Sequence, residues 1–207
     1  FRLSQKTNLI ETRGYCAGDW WVQSLAASLP VKIAPMALKE KIVLDVCCAP
    51  GGKSFQLADK GAILTSIDKS ERRLKLMREN LDRLNYDLDL ICRDVFEYQP
   101  KHLFDIILLD PPCTATGTIG KNPDLQFLNP LDKLEELSEI QRKMLKRCAS
   151  WLQDDGYIIY SVCSLLKEEG EDQISRFLKK NKEFCLIHPK KKGYLYQEGY
   201  VTHEKNG

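Results

Sequence analysis

The 207-residue chain predicts an α/β fold, a mostly parallel sheet with helices on both faces. Three observations predict it. Five apolar runs, at residues 42–47, 62–68, 88–92, 104–110 and 157–163, are too continuous for strands with one wet face. Segments with helical spacing of apolar residues lie between them. The runs finish at or near Asp or Cys, so chemically able residues sit where open parallel sheets bind ligands.

In chain order, residues 1–40 read as a lead-in segment with one short helix over 20–29, and residues 41–207 as the domain that carries the sheet. The strand at 42–47 passes into a glycine-bearing loop. The strand at 62–68 closes on Asp68. Ser70 then caps a helix whose Leu74, Met77, Leu81 and Leu84 fall on one face. The weaker strand at 88–92 is followed by Asp94, and the strand at 104–110 closes on Asp110. Asn129-Pro130 opens a helix, with proline at its favoured first position. Leu131, Leu134, Leu137, Ile140, Met144, Leu145 and Cys148 trace its buried face, and Gly156 stops the segment before the fifth strand. Ile174, Phe177 and Leu178 mark a last helix.

Composition narrows the function classes. With 43% hydrophobic and 29% charged residues and a net charge of +2, the chain is an ordinary globular protein and not a polyelectrolyte. A basic face can still hide in a near-neutral total. No run approaches the roughly 18 apolar residues of a membrane span, so no membrane partner is expected. The start lacks an initiator Met and a signal-peptide pattern, which reads as a piece of a longer protein. Eight cysteines stand out: 16, 47, 48, 92, 113, 148, 163 and 185. They contain no C-x-x-C, and His102, His188 and His203 add no ligand spacing, so no metal is expected. Without a secretory signal the thiols are expected to be reduced, in a cytoplasmic monomer.

The loop Asp45-Val46-Cys47-Cys48-Ala49-Pro50-Gly51-Gly52-Lys53-Ser54 bears on the ligand. Adjacent glycines let backbone approach a bound molecule. Gly52-Lys53-Ser54 fits the end of a P-loop, but Cys47 occupies its first glycine position, and G-x-G-x-x-G is absent. ATP and NAD are disfavoured. Asp68 stands where a carboxylate accepts ribose hydroxyls, and Asp94 where one meets an adenine amine. A glycine loop with strand-end carboxylates suits an adenosine without phosphate, and S-adenosyl-L-methionine fits. The plainer reading is that both carboxylates cap turns.

Asp110-Pro111-Pro112-Cys113-Thr114 ends the fourth strand. Methyltransferases of exocyclic amines place D/N-P-P-aromatic there, and here the aromatic is Cys113. Tyr160-Ser161-Val162-Cys163-Ser164 ends the fifth strand, which neighbours the fourth in such folds. Two thiols then face one crevice. Thiols solve one methylation problem, because carbon 5 of a pyrimidine is a poor nucleophile until a thiolate adds to carbon 6. One thiol attacks and a second helps expel it, while Asp110 holds the base.

These residues resemble the RNA 5-methylcytosine methyltransferases, nearest to their bacterial 16S ribosomal-RNA branch, the Sun or Fmu group. The resemblance covers about residues 15–180. Gly18-Asp19-Trp20-Trp21-Val22-Gln23 resembles the segment before the first strand. Asp110-Pro111-Pro112-Cys113-Thr114-Ala115-Thr116-Gly117 resembles D-A-P-C-S-A-T-G, Asn122-Pro123-Asp124 resembles H-P-D, and Tyr160 to Ser164 resembles Y-x-T-C-S. Glu168-Glu169 resembles the paired glutamates. The resemblance implies a class I, Rossmann-like methyltransferase that uses S-adenosyl-L-methionine, with RNA, and specifically ribosomal RNA, as partner. It implies Cys163 as nucleophile and Cys113 as release cysteine. The donor would be held by Cys47, Cys48, Ala49, Pro50, Gly51, Gly52, Lys53, Asp68, Asp94 and Asp110, with Lys53 near the target base. The departures are Val162 for Thr, Cys48 for Ala, Lys167 and Gly170 for Pro and Asn, and Ser24 for Asp. The family's helical RNA-binding region and its last strand are expected to be missing, leaving the catalytic domain incomplete at its C-terminus.

Lys179, Lys180, Lys182 and Lys190 to Lys192 make the late segment locally basic, a solvated face or a phosphate track. The rival readings are an amine methyltransferase of adenine or protein, and a non-catalytic RNA-binding assembly factor that keeps the fold.

Overall fold

The computed structural model describes residues 8–34, 36–127, 130–187, 194–196 and 199–201. The elements are α1 Leu25–Lys32, β1 Ile42–Val46, α2 Gly52–Asp59, β2 Ile63–Asp68, α3 Glu71–Leu84, β3 Asp89–Cys92, β4 Phe104–Leu109, α4 Leu134–Ala149, β5 Leu152–Tyr160, α5 Glu171–Lys180, β6 Tyr194–Tyr196 and β7 Gly199–Val201. The first five strands form one sheet in the order β3-β2-β1-β4-β5, and each pairing in it is parallel. The expected α/β sheet is therefore the one observed.

The apolar runs are continuous because successive residues feed two cores. Leu44, Val46, Ile67, Ile107 and Leu109 pack with Met144, Leu145 and Cys148 of α4. Their neighbours Val43, Leu64, Ile106 and Leu108 pack on the other face with Val31 of α1 and Leu57 of α2. Each is almost fully removed from water, worth roughly 1.5–3 kcal/mol per large side chain. A third cluster joins Phe55 of α2 to Leu74, Met77, Leu81 and Leu84, the face expected for α3. Ser70 caps that helix through the amide of Arg73, and Asn85 closes it in the left-handed region.

Several boundaries depart from expectation. The first helix starts at Leu25, not at residue 20, because Ser24 is its N-cap and accepts from the amide of Ala27 at 3.2 Å. Asn129 lies outside the described residues. The helix expected from there is a 3-10 turn over Pro130–Lys133, with α4 beginning at Leu134. Leu131 is exposed, and the buried face of α4 instead carries Ser138 and Gln141 with Met144, Leu145 and Cys148. Gly156 does not stop a segment. It lies inside β5, where the ladder to β4 shifts register between Phe104 and Ile106. A Cβ there would sit 2.9 Å from the carbonyl oxygen of Gln153. The bulge thus requires glycine. The antiparallel hairpin of β6 and β7, unexpected from the sequence, pairs Tyr194 with Val201 in a sheet of its own.

The lead-in segment is tied to the sheet domain. Val31 and Leu38 lie in the core. The Arg83 guanidinium stacks 4.0 Å from the centre of the Tyr15 ring and donates to the carbonyls of Tyr15 at 2.5 Å and Trp20 at 3.0 Å. Gly18, at φ +81°, brings its backbone against the carbonyl of Arg83. Gly18→Ala is expected to lower stability by about 1–3 kcal/mol, through left-handed strain and that collision. Gly120→Ala, with nothing within 4 Å, is expected to shift it by less than about 0.5 kcal/mol. Urea denaturation of the two variants checks the contrast.

Candidate functional site

The site lies at the carboxyl ends of β1, β2, β4 and β5, where the strand order reverses between β1 and β4. A cavity of about 280 Å³ opens there, lined by Cys47, Ala49, Asp68, Arg73, Asp94, Asp110, Cys113 and Cys163 among others. Seven of the expected site residues thus meet in one crevice.

The loop after β1 packs tightly onto α2 and α3. Cys47 has φ 62° and Gly51 φ 104°, and a Cβ on Gly51 would sit 2.5 Å from the Phe55 ring. Pro50, Gly51 and Gly52 carry the chain into α2. Cys48 is buried, with its sulfur 3.8 Å from that of Met77, so its side chain belongs to the core. The loop hangs on the end of β2. Cys48 donates its amide to the carbonyl of Ile67 at 3.1 Å, and Ala49 donates its amide to Asp68 at 3.2 Å. Asp68 also accepts from the amide of Ser70 at 2.9 Å and from the Arg73 guanidinium at 2.6 Å. Asp94 accepts from the amide of Phe96 at 2.9 Å. Both carboxylates therefore cap turns and line the cavity at once. Arg73, which sequence reasoning passed over, reads in sequence as one more charge on a helix.

The second half holds the two sulfurs. Parallel pairing of Leu109 with Tyr160 sets the turns after β4 and β5 side by side. The Cys113 and Cys163 sulfurs lie 3.3 Å apart. Cys163 is exposed and Cys113 half-buried. The Lys53 ammonium donates to Asp110 at 2.5 Å, and the Ser161 hydroxyl donates to the other Asp110 oxygen at 3.3 Å. The hydrogen bond from the Cys113 thiol, with a smaller pull from Lys53, holds Cys163 below the ordinary thiol range. Cys113 is pushed the other way by the same contact and by burial. The pair shares its protons, with Cys163 the favoured thiolate. Burial, with the nearby carboxylates, pushes Cys47 up to about 12, and burial also raises Cys48 and Cys148. Cys48 and Cys148 are packing thiols, and Cys47 packs on the core while lining the cavity.

The Cys113 turn is pinned by a buried carboxylate. Glu169 is fully buried. It accepts from the amide of Thr114 at 2.9 Å, from the Thr114 hydroxyl, and from the Gln141 side-chain amide at 2.9 Å. Gln141 also donates to the carbonyl of Pro112 at 2.9 Å, so Cys113 is held from both neighbours. The Tyr160 hydroxyl donates to the carbonyl of Glu169 at 2.7 Å. Ser164, beside Cys163, bonds the Thr114 and Thr116 hydroxyls at 3.1 and 3.2 Å. Sequence reasoning noted Glu169 without a role. The available signal was polar Ser138 and Gln141 on the inner face of α4. Of the basic segment, Lys179, Lys180 and Lys182 are exposed, and Lys190 to Lys192 lie outside the described residues. Among the described residues there is no cluster of three or more metal-ligating side chains, and no helix long and apolar enough to cross a membrane.

A reversed parallel sheet with a glycine loop and carboxylates around one crevice defines a class I, Rossmann-like methyltransferase domain. The chain belongs to the 16S rRNA methyltransferase RsmB/F family, whose sequence profile matches residues 33–203. It is 40% identical over 151 residues to the ribosomal RNA small subunit methyltransferase B of Shewanella oneidensis, covering 70% of this chain and 35% of that protein. To the enzyme of the same name from Vibrio cholerae it is 36% identical over 180 residues, covering 84% and 41%. The chain thus spans well under half the length of these relatives. Among solved structures, NSun6 from Pyrococcus horikoshii superposes with a TM-score of 0.78 at 26% identity, over 91% of this chain and 49% of that one. A methyltransferase homolog from the same organism gives 0.69 at 29% identity, over 86% and 56%.

Two outcomes test the site's electrostatics and anchoring. Asp45 is buried beneath the loop, accepts from the Ser54 hydroxyl at 2.5 Å, and has one oxygen without a partner. Burial raises its carboxyl from 3.8 to about 7. The folded state then binds the proton more tightly than the unfolded state, so this group's contribution to stability falls as pH rises from about 4 to about 7. Asp45→Asn should lose that slope, so urea denaturation across the window should find the variant gaining on the wild type as pH rises. Glu169→Ala strands the Thr114 amide and the Gln141 side chain, and should cost about 2–4 kcal/mol in the same assay.

Proposed function

We propose that this chain is the catalytic domain of an S-adenosylmethionine-dependent methyltransferase that modifies carbon 5 of a cytosine in RNA, specifically 16S ribosomal RNA. The observation that carries the reading is the 3.3 Å contact of two thiols in the crevice that Asp110 also lines. Methylation of an amine has no use for that pair. The names of the relatives support ribosomal RNA as the substrate.

The residues present fit the methyl donor. Asp68 and Asp94 line the cavity and offer acceptors to a ribose and an adenine amine. Asp68 would share its acceptor oxygens with Arg73, which lines the same wall. When bound, the donor supplies an electrophilic methyl group. The target base must leave its stack to reach the exposed Cys163, which single-stranded or loop RNA makes easier. The Cys163 thiolate adds to carbon 6 and makes carbon 5 nucleophilic. Asp110, fixed between Lys53 and Ser161, holds the polar edge of the base, and the Lys53 ammonium offsets charge that develops on it. After methyl transfer and loss of the carbon-5 proton, Cys113 assists departure of the Cys163 sulfur.

RNA carrying 5-fluorocytosine should trap a covalent protein–RNA complex, because fluorine blocks the last elimination. Cys163→Ala should abolish the complex, and adduct that persists in that variant would sink the assignment. Cys113→Ala should accumulate adduct on unmodified RNA and lower turnover by about two orders of magnitude. Denaturing gel electrophoresis with labelled RNA reads both.

A further inference from the structure

The sulfur pair is equipped for a second chemistry. A disulfide needs its sulfurs about 2.05 Å apart, so the pair at 3.3 Å is roughly 1.2 Å from a bond. The turns that carry them are mutually fixed. The amide of Gly117 donates to the carbonyl of Cys163 at 2.9 Å, and Ser164 bonds two hydroxyls of the other turn. Cys163 faces solvent while Cys113 stands behind it, the arrangement of an attacked thiol with a resolving partner. Cys16, Cys92 and Cys185 are also exposed, and the thiols of Cys16 and Cys92 bond the backbone carbonyls of Ile10 and Lys69, not a second sulfur.

We propose that Cys163 and Cys113 form a peroxide oxidation site that closes reversibly into a disulfide and switches the enzyme off. The Cys163 thiolate attacks one oxygen of hydrogen peroxide. A sulfur–oxygen bond forms, the oxygen–oxygen bond breaks, and hydroxide leaves and is protonated to water. The Cys113 sulfur then attacks the Cys163 sulfenic acid. The sulfur–sulfur bond forms, the sulfur–oxygen bond breaks, and the departing hydroxide takes the Cys113 proton as a second water. Two thiols lose two electrons, and one peroxide becomes two waters. A dithiol reductant reverses the bond by exchange and restores both thiols. The closed state holds no free nucleophile, and it spares Cys163 from irreversible sulfinic acid. The bond itself does not rest on the cytosine reading, whereas its effect on adduct formation does.

The test treats the protein with hydrogen peroxide, alkylates the remaining thiols and maps peptides by mass. The expected product is about 2 Da lighter before alkylation, with the Cys113 and Cys163 peptides joined, and dithiothreitol reverses it. Cys113→Ala should give no joined peptides and a Cys163 peptide about 32 Da heavier. Cys92→Ser should oxidise as the wild type does. A wild type whose Cys163 goes to sulfinic acid at the same rate as in Cys113→Ala, or whose joined peptides exclude this pair, overturns the proposal. Adduct formation on 5-fluorocytosine RNA should vanish in the oxidised protein and return on reduction. If the disulfide forms and adduct persists, the inactivation claim and the Cys163 assignment both fail, while the bond stands.

Discussion

A carboxylate without solvent contact is costly unless its lone pairs are filled, and Glu169 has them filled by the residues that frame the site. The carboxylate's partners come from the turn after β4 and from α4, and Tyr160 of β5 donates to the Glu169 backbone carbonyl. Thr114 and Pro112 flank Cys113, and Tyr160 lies three residues before Cys163. The carboxylate and carbonyl of one buried residue therefore tie the Cys113 turn to the strand that leads into Cys163. A sheet register alone aligns backbones to within a residue. Such side-chain ties add to that alignment.

The architecture was legible because it rests on patterns that survive in one dimension. Val43 and Leu44 belong to opposite cores, and so do Ile106 and Ile107, so both strands read as unbroken apolar runs. The Leu74, Met77, Leu81 and Leu84 stripe and the Ser70 cap were equally plain. The site was legible where its residues stand at strand ends, as with Cys47, Asp68, Asp110 and Cys163. Gly156 misled because a glycine that relieves a bulge looks like one that ends a segment. The roles of Arg73, Gln141 and Glu169 were hidden because each depends on a partner distant in sequence, or on the depth of one helix face. The departures from the family pattern are softer than they look. Ser24 caps its helix, a role Asp fills as well, and Cys48 replaces one small core residue with another.

Charge is partitioned across the crevice. Asp68, Asp94 and Asp110 face a site suited to a cationic donor, and two of the three are offset by Arg73 and Lys53. A thiolate beside uncompensated carboxylates would be disfavoured. The Asp110 charge does raise the Cys163 thiol, and the Cys113 hydrogen bond outweighs it. Cys47 has no such bond, and burial together with Asp68, Asp110 and Asp45 pushes it up to about 12. The same element type at two strand ends thus gives one thiol pushed up and one held below the ordinary range.

The strand order places the glycine loop, Asp68 and Asp94 at the ends of β1, β2 and β3 and the sulfur-bearing turns after β4 and β5, with Asp110 and Lys53 joining the two groups across the reversal. The halves line one cavity. On the proposed reading, mutations that reshape the target-base side can accumulate away from the methyl source, and drift in the donor loop reaches the sulfurs through Lys53. Such a division lets a lineage try new substrates while keeping an old reagent, and it makes the Lys53–Asp110 seam the place where the two histories must stay in step.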